Sequence, residues 1–322
     1  TRYESSAASD VYKRQTLVSE SGRALASHFS VLVFNVLGCS RAPDGEPTQQ
    51  SDEPLPVSNL RETLQRIRQM DPAEPSLLQE AWNDAIKFRE DALAAFRLGY
   101  IRLSQRAMAE QLSWTCAKEI SSRLPTDEPI HEDLRGLQRA LAWTYYANLS
   151  IFRSAPDTWA IDQLFPVMPI HRLDEFPSEL GQFADLTCDS DGKLSRFIDH
   201  GSDKSLLELH PLQEKEPYWI GMFLGGAYQE VMGNLHNLFG STNAVHVRLN
   251  PKGSGYLLDH VLKGDTNANV LKEMQHDPDL ILERLRQASE TAIQQGKLQI
   301  EEARLLMSHL KASLDQTTYL EK

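Results

Sequence analysis

Cys188 stands beside Asp189, and Asp191 and Gly192 follow closely, in the run Phe183–Phe197 (FADLTCDSDGKLSRF). A thiol there could deliver a proton at neutral pH, and the two carboxylates could hold a cation. The plainer reading is a tight acidic turn around an inert thiol, the commoner fate of a free cysteine. Calcium is excluded by position. Setting Asp189, Asp191 and Gly192 at the third, fifth and sixth places of an EF-hand loop puts Thr187 first and Ile198 twelfth, and both end positions fail. Zinc is excluded as well, because the ten histidines are scattered, with no HExxH and no paired cysteines. No local histidine supplies a base that would make Cys188 a nucleophile.

Two further constellations could hold a ligand. In Ser19-Glu20-Ser21-Gly22-Arg23 an acid and a guanidinium flank a glycine turn, so Glu20 could face a protonated ring nitrogen and Arg23 a phosphate. A solvated Glu20–Arg23 pair is the plainer alternative. In Gly225-Gly226-Ala227-Tyr228 the glycines let backbone approach a ligand, and Tyr228 offers a hydroxyl at a helix start. A bulge that ends a strand explains the same glycines.

Positioning these residues requires a succession of elements. A strand at Ala184–Cys188 would deliver the thiol, and Leu194 and Phe197 would return the chain to the interior. Residues 1–15, including VYKRQ at Val11–Gln15, are patternless and read as an artefact or disordered leader; the apolar text begins so abruptly at Thr16 that a missing N-terminal part is expected. Residues 16–40 contain a short strand ending at Ser19 and a buried strand at Ser30–Leu37, and 41–58 reads as a Pro- and Gly-containing linker. From 59 to 150 the period becomes helical, through Leu60, Leu64 and Ile67, then Leu78, Trp82 and Ala85, then Leu112 and Ile120, then Leu137, Leu141 and Tyr145. Pro72, Pro75 and Pro125 sit near helix starts, so a bundle of roughly four helices is predicted. Residues 151–263 read as a β domain with strands at Gln163–Pro169, Tyr218–Leu224, Asn243–Leu249 and Gly255–Leu262 and a short helix at Ala227–Leu235. Residues 264–322 are helical, with Thr266 and Asp277 as caps and Pro278 at a permitted first position. The fold class is α+β.

Composition narrows the functions. The 322 residues are 41% hydrophobic and 24% charged, as in a globular protein of two or three compact units. A net charge of −12 argues against nucleic acid or an anionic membrane as partner and suits a small cationic substrate. No run approaches the ~20 apolar residues of a membrane helix. Cys39, Cys116 and Cys188 are too few and too far apart for a disulfide framework, so a reducing cytoplasm is expected.

Taken in order, SESGRA from Ser19, WAIDQLFPVMPIHRL from Trp159, LTCDSDG from Leu186, GMFLGGAYQEVMGNLHNLFG from Gly221, GDTNANVL from Gly264 and the closing TTYLE carry a family resemblance. They resemble the C-terminal part of the pyridoxal-phosphate-dependent decarboxylases of the alanine-racemase-like fold, and among these the biosynthetic arginine decarboxylases. Diaminopimelate decarboxylases carry a different acidic word at the cysteine and lack the helical insertion. The resemblance runs from about Thr16 to Glu321. It implies a remnant of a PLP-binding β/α barrel, an inserted helical bundle, a β-barrel-like C-terminal domain and a helical tail.

The resemblance also implies roles. Glu20 would pair with the pyridine nitrogen of pyridoxal 5′-phosphate, and Arg23 and Tyr228 would lie at its phosphate. Cys188 would reprotonate the substrate's α-carbon, and Asp189 would take the guanidinium of L-arginine, with Asp191 inferred beside it. The products would be agmatine and CO2, for polyamine synthesis. In such enzymes the Cys–Asp loop serves the neighbouring subunit, so a homodimer or larger homo-oligomer is expected. Magnesium is implied by the family alone, with no ligand assigned. The family's Schiff-base lysine sits early in an N-terminal barrel, and Lys13, in the unmatched leader, cannot be given its role; the chain alone is therefore expected to be inactive. Two alternatives stand beside this reading: a non-catalytic homologue that regulates by pairing with decarboxylase subunits, and a decarboxylase of another basic amino acid. Against the first, Glu20, Arg23, Cys188 and Tyr228 are all present.

Overall fold

The structure, a computed structural model, describes residues 18–70, 75–124 and 132–321. The leader with Lys13, the beginning of the strand expected from Thr16, and Pro72 and Pro125 lie outside the described residues. Val18–Glu20 is irregular rather than extended, and leads into a single helical turn, α1 (Gly22–Ala26).

The core sheet has seven strands that curl into a nearly closed, barrel-like form. Its centre is β1 (Val31–Ser40), flanked by β2 (Trp143–Ala147) and by β9 (Tyr218–Phe223), both antiparallel to it. Outward from β9 lies β3 (Val167–Pro169); outward from β2 come β4 (Glu179–Ala184), parallel to β2, then β5 (Lys193–Leu194). β6 (Phe197–Ile198) and β7 (Asp203–Lys204) form a short antiparallel pair, and β8 (Leu207–Leu209) also pairs with β4. Only one face of β1 is buried: Phe34 and Val36 point to the core, whereas Val31 and Val33 are each 47% exposed. The expected fully buried strand is thus an alternating one. Phe34 and Phe183 meet edge to face at 5.7 Å, and the fully buried Tyr145 donates its hydroxyl to the His210 carbonyl at 3.0 Å. That bond removes the cost of placing a phenol in the core.

Between β1 and β2 the described residues make four helices: α2 (Leu55–Gln69), α3 (Pro75–Arg97), α4 (Leu103–Ser121) and α5 (Glu132–Leu141). Leu60, Leu64, Ile67, Leu78, Leu112, Ile120 and Leu137 are completely buried among them; each contributes roughly 1.5–3 kcal/mol. The helical period, read through Tyr145, stops at Leu141. Trp143 and Tyr145 instead alternate on β2, because Tyr145 sits at helical spacing from Leu141 by coincidence. The stretch read as a linker is tied to the bundle. Lys118 reaches the carbonyls of Ala42 and Pro43, and Arg61 reaches that of Pro47 and the carboxylate of Glu53. Its last residues, Leu55–Ser58, already belong to α2.

The tail folds as α9 (Asn267–Glu273), α10 (Pro278–Gln294) and α11 (Ile300–Asp315), preceded in the chain by the turns α6 (Ile151–Ser154), α7 (Pro156–Ala160) and α8 (Gln229–Met232). Thr266 and Asp277 cap α9 and α10 through their side-chain oxygens, as the sequence pattern predicts. The strands β10 (Ala244–Leu249) and β11 (Tyr256–Leu262) pair only with each other, and every residue in them is exposed. Their period marks them as strands, but carries no information on which sheet they join. No described helix is long and apolar enough to cross a membrane.

Candidate active site

β4 ends at Ala184, earlier than the strand predicted through Cys188, so the thiol lies on a loop of bends beyond the sheet. The loop is built on Asp185, a buried carboxylate the sequence did not single out. Its Oδ2 accepts the Ile151 N–H at 2.9 Å, while Oδ1 accepts the Thr187 N–H at 2.8 Å and the Thr187 hydroxyl at 2.7 Å. The Asp185 N–H bonds the Gly192 carbonyl at 2.8 Å, closing the loop. Gly192 must be glycine for lack of space: a Cβ there would collide with Asp185 Oδ1 and Thr187 Oγ1.

Cys188 is exposed at the top of this loop, so it is not the buried thiol of the plainer reading. The other two thiols are less exposed. Burial pushes Cys116 up to about 12 and also raises Cys39. The Cys188 N–H donates to Asn237 Oδ1 at 3.1 Å, and Asn237 Nδ2 donates to Cys188 Sγ at 3.4 Å. Asp189 turns one oxygen inward to accept the Asp191 N–H at 3.0 Å, and its other oxygen lies 3.8 Å from His236 Nε2. Asp191 lines a cavity of about 230 Å³ with Thr158, Trp159, Lys193 and Arg196.

The second group gathers at α1. Arg23 Nη1 donates to Asp157 at 2.5 Å, and the guanidinium lies over the Tyr228 ring, 4.8 Å from its centroid. The solvated Glu20–Arg23 pair is therefore not what forms. Asp157, buried at the start of α7, also accepts from Gln229 Nε2 at 2.6 Å. Tyr228 adopts φ +70°, which aims it back over α1, and a Cβ on Gly22 would lie 2.7 Å from its hydroxyl. Gly226 packs its N–H onto the Ser27 carbonyl at 2.9 Å, and any side chain there would strike the Ala26 carbonyl and Phe29. Glu20 is exposed just ahead of this cluster.

Arg23 and Tyr228 are thus brought together with Glu20 close in sequence, and Cys188, Asp189 and Asp191 share one loop. Among the described residues no hydrogen bond or ion pair joins the two groups. Three contributors did not stand out in the sequence: Asp157 and Asn237 owe their place to partners distant in the chain, and Asp185 to distant Ile151 together with neighbouring Thr187. Among the described residues no cluster of acids, histidines and cysteines is fit to hold a metal.

The closing TTYLE buttresses the turn that carries Asn237. Tyr319 stacks on Phe239 at 5.4 Å and donates to the Gly240 carbonyl at 2.8 Å, while Thr318 accepts the Gly240 N–H at 2.9 Å. Truncation after Asp315 should therefore loosen 236–240. Hydrogen exchange should show lost protection there while α2–α5 keep theirs; unchanged protection would refute the buttress.

Comparison with known proteins agrees with this architecture. The arginine decarboxylase helical bundle domain matches residues 50–138, and the arginine decarboxylase C-terminal helical extension matches 268–320. The curated biosynthetic arginine decarboxylase of Prochlorococcus marinus (strain MIT 9303) is 65% identical over 308 residues, covering 95% of this chain and 47% of the relative. That of Synechococcus sp. (strain RCC307) is 66% identical over 308 residues, with the same two coverages of 95% and 47%. The crystal structure of the biosynthetic arginine decarboxylase SpeA from Campylobacter jejuni superposes with a TM-score of 0.74 at 28% identity, covering 94% of this chain and 47% of that one. The chain spans about half the length of the curated relatives it matches. Over that half, it belongs to the biosynthetic arginine decarboxylase family.

Proposed function

We propose that the chain forms the C-terminal part of an arginine decarboxylase that converts L-arginine to agmatine and CO2 with pyridoxal 5′-phosphate. The observation that carries this is the presentation of Cys188 and Asp189, exposed together on a loop held from beneath by Asp185, with no hydrogen bond or ion pair to the Arg23–Tyr228 cluster. Two unjoined half-sites are what an active site completed between two subunits requires. On this reading the Schiff-base lysine belongs to the part of the relatives that the chain does not span, and residues 16–40 supply the end of the cofactor barrel and the first strand of the β domain.

The cofactor fits the residues present. Only Nη1 of Arg23 is engaged by Asp157, and the side chain is 40% exposed, so its other N–H groups can receive a phosphate. Tyr228, 47% exposed beside it, adds a phenol donor. Glu20 would face the ring nitrogen and keep it protonated. The protonated ring supplies the electron sink that makes loss of CO2 accessible. The rest is done by the chain's own groups. Asp189 anchors the guanidinium, with Asp191 at its flank, and this orients the α-carbon toward the loop. Cys188 gives its S–H proton to that carbon, forming the C–H bond of the product amine, and recovers a proton from water.

In the full-length enzyme, Cys188→Ala should cut kcat by about 100-fold or more and leave cofactor absorbance nearly intact. Loss of the cofactor in that variant would contradict the role. Asp189→Ala should raise KM for arginine about tenfold or more; an unchanged KM would remove it as the anchor.

A further inference from the structure

Asn237 bonds the same residue twice across a gap of 49 positions, once to the Cys188 N–H and once to its sulfur. The backbone N–H can only donate, so Oδ1 must face it and Nδ2 is committed to Sγ. The amide orientation is therefore fixed by chemistry. Asn237 sits at φ +54°, ψ +24°, inside the turn His236–Leu238, a left-handed conformation that asparagine tolerates better than most residues. The next side of the same turn presses on the same loop: His236 Nε2 lies 3.8 Å from Asp189, and its ring packs 4.4 Å from Phe152.

We infer that Asn237 is a positioning residue for the proton transfer: its carboxamide fixes the direction of the Cys188 thiol and stabilises negative charge on sulfur once the proton has left. The inference rests on the reading of Cys188 as the acid of the proposed reaction. When the S–H bond breaks and the C–H bond forms, the electron pair stays on sulfur, beside the N–H of Asn237. An N–H aimed at an anion gives a charge-assisted hydrogen bond, stronger than the one to the neutral thiol. The clamp thus favours the form that follows transfer without touching the substrate.

Alkylation of the full 322-residue chain with iodoacetamide, followed by peptide mass spectrometry, reads the clamp with no cofactor or arginine present. Two variants divide structure from chemistry. Asn237→Asp keeps the shape and the backbone tolerance but sets an oxyanion against sulfur; Asn237→Gly keeps the left-handed backbone and removes both bonds. Carbamidomethylation of Cys188 at pH 7 should slow about tenfold in Asn237→Asp and about threefold in Asn237→Gly. Buried Cys116 staying unreactive certifies the helical bundle, and half-buried Cys39 keeping its wild-type rate certifies the sheet. A Cys188 rate unchanged in Asn237→Asp or in Asn237→Gly would overturn the inference. In the full-length enzyme, Asn237→Asp should lower kcat with KM for arginine unchanged; a raised KM at unchanged kcat would overturn it as well. A full-length enzyme that releases no CO2 from arginine, with slowed alkylation still seen, would remove the proposed reaction and leave the clamp standing.

Discussion

Replacing Asp185 with alanine is expected to cost about 3–5 kcal/mol and to silence Cys188 without touching it. The carboxylate accepts the N–H groups of Ile151 and Thr187 and the Thr187 hydroxyl, all within 2.9 Å. Alanine leaves two backbone donors without a partner beneath the loop, each costing about 1–3 kcal/mol. The same bonds link the end of β4 to the start of α6, so the loop and α6 should loosen together. Calorimetry should show the thermal midpoint lowered by roughly 10 °C, and the full-length enzyme should lose turnover by about 100-fold. Gly192→Ala should reproduce the defect by driving a methyl group into the same carboxylate. A midpoint within a degree of wild type would show that Asp185 does not carry the loop.

The second large effect lies in the bundle. Arg61 and Glu53 form a buried pair, with side chains 8% and 6% exposed, joined by contacts of 3.0 and 2.6 Å. Glu53→Ala should cost about 3 kcal/mol, the lower end of the range for breaking a buried pair, because Arg61 keeps Glu46 and the Pro47 carbonyl as partners. The pair also sets the acid response. Hydrogen bonds from Arg61 hold the Glu53 carboxyl below its ordinary range. Its contribution is thus full above the unfolded carboxylate value of about 4.3 and is lost as pH falls through the folded one. Circular dichroism should show helix melting below about pH 4 in wild type, with a shallower pH dependence in Glu53→Ala. Identical pH profiles would exclude the pair as a determinant.

What the chain reveals in its letters is whatever is decided locally. Thr266 and Asp277 are legible as caps because a cap needs only its own next residues. The β1 strand is legible from its β-branched run, although which face it buries depends on Tyr145 and Phe183, far along the chain. Tyr145 itself fits the helical pattern because a single aromatic residue suits either period. The stretch 41–58 looks like a linker because its Pro and Gly say nothing of Lys118 and Arg61, which collect its carbonyls. At the site, Cys188, Asp189, Glu20, Arg23 and Tyr228 stand in recognisable words, but the residues that hold them do not. Arg23 meets Asp157 across 134 positions, and Cys188 meets Asn237 across 49; nothing in the flanking sequence encodes either pairing.

The central claim is that the chain carries two half-sites, the Cys188 loop and the Arg23–Tyr228 cluster, completed across a subunit boundary. Mixing two inactive full-length variants, Cys188→Ala and Glu20→Ala, after dissociation tests it directly. Random reassociation places one intact site in each mixed dimer, so CO2 release from L-arginine should return to about a quarter of the wild-type rate. Mixed dimers that form but release no CO2 above the two parents would contradict the account.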